Sequence, residues 1–314
     1  MKCKKANMAT KSYVLHTILI VTLLISLTGC RQGNTDYENM TDKEKLEVLD
    51  FKIEHHPKDA ALLNERAGVL LNLGRVKEAA VDIDNAVDLE PKNVDYRLRQ
   101  ADVWFADGNV EKSYKALTEA EKLAPESLEV LLKMGEVTFY SRDYDRSLKT
   151  LSRVTEKEPD NRTALFMKGF IYKEQGDTAN AVVLLRRVCD LHPDYAPAYE
   201  ELGVLYATRA NPLAVEYLNT AIQLDPSNTN SLYALAMYYQ ERGEMDAAES
   251  LYHNILDINE HSADAWHNLG YIELTHYHDY QRALEYFDKA LEIDPAMEQA
   301  QHNRQLAQQL VNEH

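Results

Sequence analysis

The chain has 314 residues, and 51 acidic against 34 basic side chains give a formal net charge of −17 at pH 7. Such a balance argues against nucleic acid, whose phosphates it would repel, and against a basic patch docking on anionic lipid; solubility alone would account for the acidity. Three cysteines in this length leave no disulfide framework.

Residues 1–29 read as an export signal. Lys2, Lys4, Lys5 and Lys11 make a positive start without an acid, so the rest of the chain carries all 51 acids and −21. Residues 14–27 form an apolar run interrupted by His16, Thr17, Thr22 and Ser26. The run is shorter than the about 20 residues that span a bilayer and fits a secretory apolar region. Leu27-Thr28-Gly29-Cys30 follows directly and resembles the bacterial lipoprotein signal box. The resemblance implies an exported protein whose Cys30 is lipidated and held on the cell envelope, at the outer membrane or the periplasmic face of the inner membrane. Two or more acyl chains would anchor it stably. An uncleaved N-terminal anchor is the alternative reading. Cys30 and residues 31–40 then form a lipidated, flexible polar tether; ten residues reach at most about 35 Å.

Residues 41–312 show no Pro/Ser-rich break and are expected to form a single array. Thr41-Asp42-Lys43-Glu44 reads as a capping box before a helix with Leu46, Leu49 and Ile53. This stretch, 41–59, is a half-repeat that covers the start. Small residues then recur at Ala67, Ala101, Gly135, Gly169, Gly203, Ala236 and Gly270, at spacings of 34 residues with one of 33. A second small series runs Ala79, Ser113, Ser147, Ala181, Ala214, Ala248 and Ala283, and prolines close most units, from Pro57 to Pro295. The repeats are 60–93, 94–127, 128–161, 162–195, 196–228, 229–262 and 263–297. Each holds two amphipathic helices with apolar residues at i, i+3, i+4 and i+7. Gly74, Gly108, Gly176 and Gly243 fall where the first helix needs a left-handed cap. The fifth repeat lacks one residue near Arg209-Ala210-Asn211-Pro212. The seventh has one extra near Thr275-His276-Tyr277-His278, and both changes are expected to sit in turns. Residues 298–312, with Ala300, Leu306 and Leu310, make a final helix that shields the last apolar face.

A 34-residue period with these small, aromatic and proline positions resembles the tetratricopeptide repeat. Trp266-His267-Asn268-Leu269-Gly270 with Ala283, Phe287, Ala290 and Pro295 carries the resemblance most fully. It implies an all-α, right-handed superhelical solenoid of helix–turn–helix repeats. It also implies that the first helices line a concave face on which peptides or partner helices bind. In that register lie Phe105, Phe139, Tyr140, Phe166, Met167, Phe170, Tyr233, Met237 and Tyr271. Around them stand Glu65, Asp95, Asp102, Glu129, Glu136, Glu174, Glu200, Glu201, Glu241 and Asp264, opposed by Arg99, Lys133 and Lys173. An aromatic groove rimmed by acids suits a protein or peptide with apolar anchors and a basic flank. Packing of these rings between neighbouring first helices is the competing reading. The carboxylate clamp of some family members is missing, because its positions carry Asn64, Gly68, Leu98, Asp102, Phe166 and Phe170.

Motifs for catalysis, phosphate binding or paired-cysteine metal sites do not occur, and no cofactor is expected. His253, His261, His267, His276, His278 and Asp279 match no metal spacing and read as surface residues. Cys189, with His192 at i+3, reads as a small apolar residue in a helix interface. The chain is therefore expected to be a non-enzymatic, membrane-tethered scaffold of a cell-envelope assembly. A regulatory or substrate-delivery partner of an envelope enzyme, such as a cell-wall hydrolase, is the alternative.

Overall fold

The computed structural model describes residues 37–313. The export signal, Cys30 and residues 31–36 of the tether lie outside the described residues. Among the described residues sixteen α-helices and no strand occur, so the chain is an all-α helical repeat solenoid. It divides into two compact units, with the boundary after Val137.

The first unit holds α1 (Asp42–His55), α2 (Ala60–Asn72), α3 (Val76–Leu89), α4 (Val94–Ala106), α5 (Val110–Leu123) and most of α6 (Leu128–Tyr140). Glu44 Oε2 accepts from the Thr41 amide at 2.8 Å while Thr41 Oγ1 accepts from the Glu44 amide, so the expected capping box starts α1. Leu46, Leu49 and Ile53 bury against Leu63 and Leu70 of α2 and Ile83 of α3, which makes α1 a half-repeat cover. Arg66 of α2 ties the three helices: it donates twice to Asp82 of α3, at 2.7 and 2.8 Å, and once to Asp50 of α1 at 2.8 Å. Asp82 is buried, so this bidentate pair neutralises a carboxylate that could not stand alone there. Tyr37, at the end of the expected tether, lies under the Lys52 ammonium at 5.2 Å.

The second unit holds α7 (Tyr144–Lys157), α8 (Arg162–Glu174), α9 (Thr178–Leu191), α10 (Ala196–Ala207), α11 (Leu213–Leu224), α12 (Thr229–Glu241), α13 (Met245–Ile258), α14 (Ala263–Ile272), α15 (Tyr280–Ile293) and α16 (Glu298–Glu313). Successive helices pack as antiparallel pairs because the small residues let them approach. A Cβ at Gly203 would stand 2.5 Å from Leu218 Cγ, and one at Gly270 would stand 2.7 Å from Phe287. Ala181, Ala214, Ala248 and Ala283 of the second series are fully buried.

All seven inter-helix turns contain a left-handed residue. Gly74, Gly108, Gly176 and Gly243 take φ of 72 to 79°, and Arg142, Ala210 and His278 take 59, 50 and 58°. The short fifth repeat departs from expectation, because its deletion falls in the helices, α10 and α11 having 12 residues each, and the turn between them is not shortened. The seventh departs as well. Its extra residue lies not in a widened turn but in the helix, as a π-turn over Glu273–Tyr277 that continues α14. The wider helical ring takes up one residue while Leu274 stays buried and His278 remains the cap.

In α16, Ala300 and Ala307 are buried and Leu310 packs on the last cluster, but Leu306 points outward at 40% exposure. Shielding by that leucine is therefore corrected: Ala307 fills the place. No described helix is long and apolar enough to cross a membrane.

Candidate protein-interaction face

In the second unit the first helices α8, α10, α12 and α14 follow one another, with α10 in contact with both α8 and α12. Their side chains form the candidate groove. Phe139 meets Phe170 edge-on at 5.3 Å, Phe166 meets Tyr195 at 5.3 Å, and Tyr233 meets Tyr252 at 6.0 Å. Phe139, Phe166, Phe170, Tyr233 and Met237 are half-buried, and Met167 is buried. The rings thus pack on neighbouring helices with one side and keep part of their area open. Tyr140 at 61% and Tyr271 at 37% stay exposed. In the first unit Phe105 is half-buried against the Leu98–Leu117 cluster, and Glu136 is exposed.

The acids divide by partner. Lys173 pairs with Glu201 at 2.5 Å and lies over the Phe170 ring at 4.3 Å. In the first unit Lys133 pairs with Asp102 at 2.5 Å. Both lysines that oppose acids on this face therefore spend their charge on a neighbouring helix. Burial raises the Glu201 carboxyl above its usual range, and the Lys173 contact opposes that shift. Glu200 accepts from Asn228 at 2.5 Å. Glu65, Asp95, Glu129, Glu136, Glu241 and Asp264 remain exposed, while Arg99 lies across Gly68.

Sequence reasoning missed two contributors. Tyr195 comes from a turn, and Tyr252 from a second helix outside the groove register; neither position is signalled by the repeat. A cleft of about 520 Å³ also lies among Gln240, His267, Asn268, Tyr271 and residues of α16. Its signal was legible, because α16 follows Pro295 as α2, α4, α6, α8, α10 and α12 follow their prolines.

The histidines do not gather. His267 is partly buried, which lowers its pKa against the pull of Asp264, and its Nε2 lies 3.1 Å from Asn303 Nδ2. His261, His276 and His278 are exposed. Among the described residues no three His, Cys, Asp or Glu side chains converge as a metal site requires. Burial first, then Asp190, pushes the Cys189 thiol up to about 12, and His192 Nε2 is buried without a partner. No thiol–imidazole pair forms.

Residues 132–196 and 228–296 each match a family described as tetratricopeptide repeat. No curated protein matches the chain. Among solved structures, a tetratricopeptide repeat protein of Parabacteroides merdae is similar at TM-score 0.60 and 17% identity, over 79% of this chain and 98% of that one. Yeast Tom70 gives TM-score 0.61 at 17% identity over 87% of this chain and 59% of its own. The Cut9–Hcn1 hetero-tetramer of the APC/C gives 0.60 at 14%, over 85% and 52%. The chain thus spans little more than half the length of the last two. These likenesses show the fold, an all-α helical-repeat solenoid in which residues 132–196 and 228–296 resemble tetratricopeptide repeats, a class whose extended faces commonly hold other proteins.

Proposed function

We propose that the chain is an exported, lipid-anchored scaffold of the bacterial cell envelope that acts by binding, not by catalysis. Lipid on Cys30 holds it to a membrane, and the tether lets the repeats reach a partner. In the second unit the partner lays apolar anchors among Phe139, Tyr140, Phe166, Phe170, Tyr233, Met237 and Tyr271, with basic residues toward Glu200 and Glu241. The matching face of the first unit offers Phe105 and Glu136. One observation carries this reading: the rings are half-open, and Glu241 beside them in the second unit, like Glu136 in the first, faces water while the nearby lysines are already paired. Aromatic anchors dominate interface energy, and an open apolar row on a soluble face is costly unless used.

The test is cross-linking in intact membranes followed by purification and mass spectrometry. Wild type is compared with a Phe166→Asp, Phe170→Asp, Tyr233→Asp variant whose helicity has been checked by circular dichroism. Partners lost only from the folded variant are expected. Identical partner sets would remove the groove from the reading.

A further inference from the structure

The second repeat departs from the others along one seam, and the departure opens a cavity. Four residues before the small residue of each first helix stand Leu63, Leu131, Leu165, Tyr199, Leu232 and Trp266, but the second repeat has Arg97 there. In the fifth repeat the seam is filled by rings, with Tyr217 standing 6.1 Å from Tyr199 and 5.4 Å from Tyr206. The corresponding residues of the second repeat are Arg97, Trp104 and Ala116, so an alanine methyl stands where a tyrosine closes the fifth. A cavity of about 420 Å³ lies at this place in the first unit, lined from α3, α4 and α5. Small-molecule sites occupy about 300–1,000 Å³. None of these residues is among those of the groove.

The walls carry opposite charges. Asp84 and Asp88 come from α3, whereas Lys112 and Lys115 come from α5. Among the described residues no ion pair joins the two walls. Glu119, the third acid at the cavity, is paired with Lys122 at 2.7 Å. The floor between the walls is a hydrogen-bonded chain from α4. Arg97 Nη1 donates to Gln100 Oε1 at 3.1 Å, Gln100 Nε2 donates to Asp84 Oδ1 at 2.7 Å, and Trp104 Nε1 donates to the same oxygen at 3.3 Å. The Trp104 ring holds the Lys112 ammonium 3.5 Å from its centre. Arg97 pairs with no carboxylate. Its Nη2 reaches the Pro91 carbonyl oxygen at 3.4 Å, and its Nε is buried without a partner. Elsewhere in the unit the same edge of an arginine grips an acid, as Arg66 does Asp82 and Arg75 does Glu78.

An acidic wall facing a basic one, over an arginine that lacks a carboxylate, complements a molecule carrying both charges. We propose that this cavity binds a small zwitterion with one ammonium and one carboxylate, a free amino acid or a dipeptide. The carboxylate is held at Arg97 with Lys112 and Lys115 beside it, and the ammonium lies toward Asp88. Asp84, which already accepts twice, fixes Gln100 and Trp104 in place.

The chain has two tryptophans, so Trp266→Phe leaves Trp104 to report on the cavity by fluorescence. The full chain with this substitution is purified in detergent and titrated at constant ionic strength with free L-amino acids and with alanyl, glutamyl and lysyl dipeptides. Hits are repeated by calorimetry on the unsubstituted chain. At least one probe is expected to saturate. Amidating its carboxylate or acetylating its amine should each weaken it about tenfold or more, as loss of a charged hydrogen bond does. Arg97→Leu brings in the residue of four other repeats, and Ala116→Tyr closes the seam as Tyr217 does. Each should abolish binding with helicity unchanged. Asp88→Asn, at an exposed position, should weaken binding about tenfold, and it reports even if a seam variant unfolds. No saturating probe, or affinity unchanged in all three variants, would overturn the inference. Saturation by succinate but by no amino acid or dipeptide would make this an anion site. Saturation by phosphoethanolamine alone would remove the carboxylate, and either result overturns the assignment.

Discussion

Each inter-helix turn must reverse the chain after a helix end, and a left-handed residue does this while freeing its amide for the last carbonyls. Four turns use glycine and three do not. A left-handed alanine costs about 1–2 kcal/mol, against which glycine's greater freedom in the unfolded chain returns about 0.5–1 kcal/mol. Ala210 is the exception with least excuse, since its side chain offers no hydrogen bond to offset φ of 50°. Ala210→Gly is therefore expected to stabilise the protein by about 0.5–1 kcal/mol, read as a higher urea midpoint at unchanged slope. The four glycines were legible in the sequence because glycine there has one main physical meaning. The three others were not, because arginine, alanine and histidine carry no mark of a positive φ.

The elements themselves were largely legible, since helix pairs repeat with the 34-residue period and the capping box fixes where α1 begins. The π-turn was not: one extra residue can widen a turn or a helix, and only packing decides. Here Leu274 needs the core, so the helix widens and carries Glu273 to 2% exposure. Arg282 Nη1 reaches Glu273 Oε1 at 3.0 Å, but without the alignment of a hydrogen bond. Burial raises the Glu273 carboxyl, Arg282 opposes, and Glu249 and Asp279 add to the rise. A folded-state pKa above the unfolded one means stability that is present below the unfolded pKa, about 4.3, and lost as pH rises through the folded value. Glu273→Gln removes this loss. The variant is expected to match wild type near about pH 4 and to exceed it at about pH 8 in urea unfolding. The reverse order would mean that the Arg282 contact outweighs burial.

At the scale of the whole molecule, periodicity and charge sign were readable, because both are sums over many residues. The pairings Lys133–Asp102, Lys173–Glu201 and Arg66–Asp82 join residues 16 to 31 apart and depend on side-chain reach across stacked helices, which a period does not encode. They also change what the charge means, since the acids left open on the first helices are those without a local cation. A lipid anchor, as proposed, would confine such a face to one surface and so raise the local concentration of a partner held there. A single acyl chain holds a protein only marginally, whereas two or more hold it stably. If Cys30 is lipidated, wild-type protein from a bacterial host should end at Cys30 with its acyl groups and sediment with membranes at high salt. Cys30→Ser should keep residues 1–29, or lose them to another cleavage, and in either case carry no acyl mass. Mass spectrometry of the N-terminal peptide decides between the readings. An intact leader on wild-type protein would replace the lipid by an uncleaved anchor, and membrane retention would then be the same in Cys30→Ser.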